Sequence, residues 1–94
     1  MMTVWKYPFD VTDRFDLEMP HGVQMLSVQV QDGVPCLWAL VDDENTKVTV
    51  RFRVVGTGNP APDMYIFRTF VGTFQLAGGA LVFHLFASRP CVAS

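Results

Sequence analysis

Charge is scarce in this sequence, long apolar runs are missing, and cysteine is almost absent. Charged side chains make up 17% of the 94 residues, and nine acidic against seven basic groups leave a formal charge of −2. A binder of nucleic acid polymer concentrates lysine and arginine along one face. With a formal charge of −2 the chain as a whole lacks that basic balance, so nucleic acid polymer is not an expected partner. No stretch approaches the roughly 18 apolar residues of a membrane helix, so no membrane association is expected. The opening "MMTVWKYPFD" lacks the basic segment and following apolar stretch of a secretory leader, so a cytoplasmic location is expected. Cys36 and Cys91 are too few for a disulfide framework and are expected to stay free thiols in a reducing compartment. His21, Cys36, His84 and Cys91 are scattered without ligand spacing, so neither a metal nor another cofactor is expected.

Half of the residues are hydrophobic, enough for a chain of this length to bury one modest core. Residues 1–94 are read as a single β domain, with 89–94 as a flexible tail. No extended helical stripe occurs beyond a single turn at 10–14 or 61–68, whereas several segments alternate or run apolar between turn residues. The expected fold is all-β, with antiparallel hairpins forming a small sandwich or partly open barrel and at most one short helical turn. Strands are predicted near 3–7, 15–19, 23–31, 34–42, 47–55, 70–77 and 80–88.

The strongest local signal is Asp32-Gly33 within "VQVQDGVPCLWALV", residues 28–41. A two-residue type I′ loop there sets Gln31 opposite Val34. It places Val28–Leu37 and Leu26–Ala39 on one face, with Gln29–Cys36, Ser27–Trp38 and Met25–Leu40 on the other. The strand after the turn is then apolar on both faces, which fits an interior strand or one that meets a partner. Pro35 fits that register because its missing N–H points away from the hairpin. In "KVTVRFRVV", Val48, Val50, Phe52 and Val54 are expected in the core, and Lys47, Thr49, Arg51 and Arg53 in solvent. Around Gly78-Gly79, Leu76–Leu81 and Phe74–Phe83 pair on one face, with Gln75–Val82 and Thr73–His84 on the other. Aligning the two turns sets Gln29 on Gln75, Ser27 on Thr73 and Trp38 on His84, a faint internal echo.

Candidate chemistry is sparse, and no catalytic residue is assigned. His84 is read first as a half-buried histidine bonded to Thr73 or to backbone, and second as a ligand or partner contact. Cys36 carries no nucleophile signature. The glycine loop Gly56-Thr57-Gly58, together with Arg51, Arg53 and Arg68, is the best place for a phosphate-bearing small molecule, because successive loop N–H groups and guanidinium groups suit an anion. Trp38, His84, Gln29 and Gln75 complete the candidate contacts. Trp5 and Tyr7 would join a stacking patch only if they shared the face of Trp38.

The stretches "VWKYP" (4–8), "EMP" (18–20), "LSVQVQDGVPCLWALVD" (26–42), "FRVVGTG" (52–58), "VGTFQL" (71–76) and "GGALVFHLF" (78–86) resemble a family of small, uncharacterised proteins encoded by bacteriophages and prophages. The resemblance implies a phage accessory protein acting in the cytoplasm of the infected bacterium. It carries no catalytic residue. The expected function is a non-enzymatic binding protein that counters host defence, either by sequestering a nucleotide signal or by occupying a host effector. The alternatives are a structural or assembly accessory of the virion and, last, a small hydrolase. A homo-oligomer is expected, since a short chain with a doubly apolar strand leaves one face for another molecule.

Overall fold

Asp32 and Gly33 have φ of 51° and 78°, the positive values at both central positions that a type I′ loop requires. They come from a computed structural model, which describes residues 1–89. Of the expected tail, all but Arg89 lies outside those residues, as does Cys91. Seven strands form: β1 Met2–Pro8, β2 Arg14–Pro20, β3 Gln24–Gln31, β4 Val34–Asp42, β5 Lys47–Gly56, β6 Thr69–Leu76 and β7 Leu81–Ala87. The single helical turn among the described residues is a 3-10 turn at Ala77–Gly79. Of the single turns expected, 10–14 has none, whereas residues 62–66 make a hydrogen-bonded turn in which the Ile66 N–H donates to the Asp63 carbonyl at 3.1 Å. The second hairpin loop has positive φ at Ala77, Gly78 and Gly79.

The strands make two antiparallel sheets, ordered β1-β4-β3 and β2-β5-β7-β6. Alternation decides which side chains lie between them. Leu37, Ala39 and Val41 of β4 face Val50, Phe52 and Val54 of β5 and Leu85 of β7 across one core. All four valine and phenylalanine positions expected to be inward on β5 are buried. Phe9, on the connector after β1, stacks on Phe15 at 4.7 Å, and Phe15 stacks on Phe52 at 5.0 Å. Phe9 also meets Phe74 edge-on at 5.8 Å, and Phe74 stacks on Phe83. Four of these rings belong to the four-stranded sheet, and Phe9, whose backbone N–H bonds to β4 of the other sheet, seats the connector against them. Trp5 and Tyr7 pack against the same core, opposite to Trp38, so they form no patch with it.

On one side the sandwich is nearly closed, because β3 lies over β6. A Cβ on Gly72 would stand 2.7 Å from Val28 Cγ1, so glycine is what lets these strands approach. The first hairpin keeps its expected register from Gln31↔Val34 through Ser27↔Trp38. Beyond that the expectation fails: a bulge at Leu26 gives Met25↔Ala39 and Gln24↔Leu40. The extra residue turns Met25 inward and leaves Leu26 exposed. The second hairpin keeps all four expected pairs and carries its own bulge between Phe70 and Gly72. Both hairpins therefore bend their first strand near a Ser–Trp or Thr–His pair, at Leu26 and at Val71, positions that fall one residue apart when the two turns are aligned.

The Pro35 carbonyl accepts the Phe9 N–H at 3.0 Å, and the missing Pro35 N–H ends the β1–β4 ladder there. The acidic turn after β4 gathers Asp42, Asp43 and Glu44 around the Met1 ammonium at 3.1, 3.0 and 2.8 Å. Hydrogen bonds to Glu44, Asp43 and Asp42 raise that group's pKa to about 10. Among the described residues no helix is long and apolar enough to cross a membrane.

Candidate functional site

The loop from Thr57 to Arg68 decides what the outer face of the four-stranded sheet can do. It folds back over β5 and seats Phe67 and Asp63 against it, both buried. Arg53, expected in solvent, is thereby buried at 9% exposure. Its Nε donates to both Asp63 carboxylate oxygens at 3.1 and 3.2 Å, and its Nη1 donates to the Val54 and Asp13 carbonyls at 2.7 and 3.2 Å. Arg14 adds a second ion pair to Asp63 and lies over the Phe67 ring at 5.7 Å. Burial alone would push the Asp63 carboxyl up. The hydrogen bond from Arg53 and the charges of Arg53 and Arg14 outweigh it and hold Asp63 below the usual carboxylate range. Arg53 and Arg14 thus pin the loop; Arg53 is buried and fully engaged, while Arg14 remains 61% exposed.

The arginines that remain gather at the loop's far end. Arg51 projects outward from β5, Arg68 and Thr69 stand where β6 begins, and Ser88 and Arg89 follow β7. Together with Tyr65 and Ile66 they line a cleft of about 660 Å³. The backbone fixes this corner: the Ser88 N–H donates to the Arg51 carbonyl at 2.8 Å, and the Arg51 N–H donates to Ser88 Oγ at 3.1 Å. The Ser88 hydroxyl in turn donates to the Arg89 carbonyl at 3.1 Å. Among the described residues Arg14 and Arg53 form ion pairs, whereas Arg51, Arg68 and Arg89 form none. Tyr65 is 76% exposed beside them, with an aromatic face available for stacking.

The glycine loop belongs to a different place. Gly56, Thr57 and Gly58 border a smaller pocket of about 250 Å³ with His84, Met64 and Phe86. His84 is held on both ring nitrogens, Nε2 against Thr57 Oγ1 at 2.8 Å and Nδ1 against Thr73 Oγ1 at 2.9 Å. The expected Thr73 partner is present, and Thr57 joins it from the loop. Gln75 lies across from Val82 on the same sheet. Trp38 and Gln29 sit on the other sheet, and so does Cys36, which is buried with its thiol 3.5 Å from the Val34 carbonyl. The ten residues proposed from sequence are therefore dispersed: Arg51 and Arg68 share the cleft, Gly56, Thr57, Gly58 and His84 the smaller pocket, Arg53 is held under the loop by Asp63, Gln75 lies on β6, and Trp38 and Gln29 lie on the other sheet.

Sequence reasoning missed Arg89, Tyr65, Ile66, Thr69 and Ser88. Arg89 and Tyr65 carried a signal, a cation and an aromatic in a chain poor in charge. Their convergence depends on how the β6–β7 hairpin returns beside β5.

The chain belongs to the family described as a domain of unknown function, DUF7352, which matches residues 1–92. No curated protein and no solved structure gives a significant match.

Proposed function

We propose that this DUF7352 protein is a non-enzymatic binding protein that captures a phosphorylated small molecule, a nucleotide, in the Arg51–Arg68–Arg89 cleft. One observation carries the reading: three guanidinium groups line one concave site and none is in an ion pair among the described residues. Asp16 stands opposite Arg51 across the β2–β5 ladder without an ion pair among the described residues, so three guanidinium groups face one nearby carboxylate; that positive excess favours an anionic guest, and guanidinium matches phosphate oxygens in a fork. Tyr65 supplies a surface for a base to stack on. The volume falls within the range of small-molecule sites, roughly 300–1,000 Å³. The Ser88 hydroxyl is engaged with backbone on both sides, which suits a holding role better than a nucleophilic one.

Combined with the resemblance to phage-encoded proteins, capture of a nucleotide reads as sequestration of a host defence signal. Occupation of a host effector is the second reading. It is favoured by the outer face of the three-stranded sheet, where Met2, Val4, Leu26 and Val34 are exposed.

A panel of linear and cyclic nucleotides with pyrophosphate, read by thermal unfolding, tests the cleft. A ligand at a hundred times its dissociation constant adds roughly 2.7 kcal/mol, or about 10–20 °C in a domain of this size. The stabilisation should be lost in Arg51→Ala and Arg68→Ala and kept in Lys47→Ala. Silence across the panel refutes capture of a nucleotide.

A further inference from the structure

We infer that the chain forms a two-fold symmetric homodimer by pairing the free edge of β1 with the same edge of a second copy, joining two three-stranded sheets into one of six strands. Unpaired strand edges template further pairing, and proteins usually blunt them with bulges, charges or proline. Three of the four edges here are blunted. β3 and β6 each carry a bulge, and β2 presents Arg14, Asp16 and Glu18 in alternation. β1 is regular throughout its pairing with β4, from Met2↔Asp42 to Pro8↔Cys36.

The backbone bonds show which groups that edge offers. Phe9 N–H donates to the Pro35 carbonyl, and the Met1 carbonyl accepts from Asp43 N–H, so odd-numbered residues of β1 bond inward to β4. In an antiparallel ladder the alternate residues face the other way. Met2, Val4 and Lys6 therefore hold their N–H and C=O groups toward the free edge, and Pro8, which has no N–H, ends the series.

These three residues are self-complementary. Antiparallel pairing with Val4 opposite the second copy's Val4 sets each Met2 opposite a Lys6 and makes about six hydrogen bonds, using the outward N–H and C=O groups of all three residues on each edge. The same patch meets itself, as a two-fold interface requires. Val4 and Met2 are 50% and 57% exposed, and this register sets each Val4 against the second copy's Val4 and each Met2 against the second copy's Lys6 while keeping the two Lys6 ammonium groups apart. Lys6 does not guard the edge in the usual way. Its Nζ turns back over the sheet and donates to Gln31 Oε1 at 2.8 Å.

The test is mass by light scattering or sedimentation, with amide exchange read by NMR across a concentration series. The wild-type chain of 10.5 kDa should give about twice that mass at tens of micromolar, and the Met2, Val4 and Lys6 amides should become protected as the dimer fills. Val4→Lys sets two ammonium groups against each other across the two-fold axis, and Val4→Pro removes only an outward N–H. Each should yield monomer at the concentration where wild type is dimer, with unchanged circular dichroism, and Val4→Lys decides the matter if Val4→Pro fails to fold. A wild-type monomer at about 100 µM overturns the inference. So does a dimer that survives Val4→Lys, or one whose Val4 and Lys6 amides exchange freely.

Discussion

Gly72→Ala should destabilise the protein through a single contact, and removing that contact should restore most of the loss. The added Cβ would sit 2.7 Å from Val28 Cγ1 and 3.6 Å from the Val28 backbone nitrogen. The second distance is ordinary; the first forces movement. Val28 is buried, at 5% exposure, and β-branched, so it cannot swing its methyl aside cheaply. Overpacking of this kind costs about 1–3 kcal/mol, which in a domain of this size lowers the Tm by roughly 4–8 °C for each kcal/mol. Val28→Ala alone gives up two methyl groups, about 1.6 kcal/mol at roughly 0.8 per group, plus a cavity cost. In the double variant the new Cβ occupies space vacated by the old methyl, so the two losses should fall short of additivity by about 1 kcal/mol or more. Urea unfolding of the four proteins gives the cycle directly. Additive losses, or a Gly72→Ala protein as stable as wild type, would show that β3 and β6 do not approach as closely as these distances require.

Two further outcomes follow from the ion pair and the histidine. Asp63 titrates lower in the folded chain than its ordinary 3.8, so its stabilising effect is complete above that value and is lost as pH falls through the lower folded one. Asp63→Asn should therefore be less stable than wild type near neutral pH, with the gap in Tm closing only below about pH 4; a gap that stays constant on acidification contradicts the pairing. For His84, Thr57 Oγ1 also donates to the Val82 carbonyl at 3.3 Å, which leaves it to accept from Nε2. The neutral ring should then be the Nε2–H tautomer with Nδ1 accepting from Thr73, and imidazole nitrogen shifts showing Nδ1–H would refute that direction of bonding.

Seven strands were legible because their signals are local. Alternation in "KVTVRFRVV" and turn chemistry at Asp32-Gly33 depend on neighbours in sequence and appear as expected, and the Gly78-Gly79 hairpin keeps its expected register with the loop widened to Ala77–Ala80. The bulge at Leu26 was not legible, since an apolar residue at an inward step of the alternation gives no sign that the backbone will slip there. Arg53 failed for a related reason. Its period places it outward, and it does project from that side of β5, but a loop ten residues later brings Asp63 over it. Burial by a returning loop leaves no trace in a two-residue period. The same loop made Arg51 and Arg68 readable as cations while concealing that Tyr65 and Arg89 complete their cleft.

β4 is apolar on both sides, and the fold uses its two sides differently. Leu37, Ala39 and Val41 are fully buried in the core, while Trp38 and Leu40 remain half-exposed on the opposite face. The long loop covers the outer face of the other sheet instead, where Asp63 anchors it and the arginine cleft opens at its end. The chain's two recognition features are thus on separate sheets: a free edge at β1 in one and a cationic cleft beside β5 and β7 in the other. A dimer made at β1 leaves both clefts open. It follows that Val4→Lys should abolish dimerisation without altering the response to nucleotide, and that Arg68→Ala should abolish the response without altering the mass. If either substitution removed both properties, the cleft and the edge would have to communicate through β4 and the core, and the assignment of separate roles to the two sheets would be wrong.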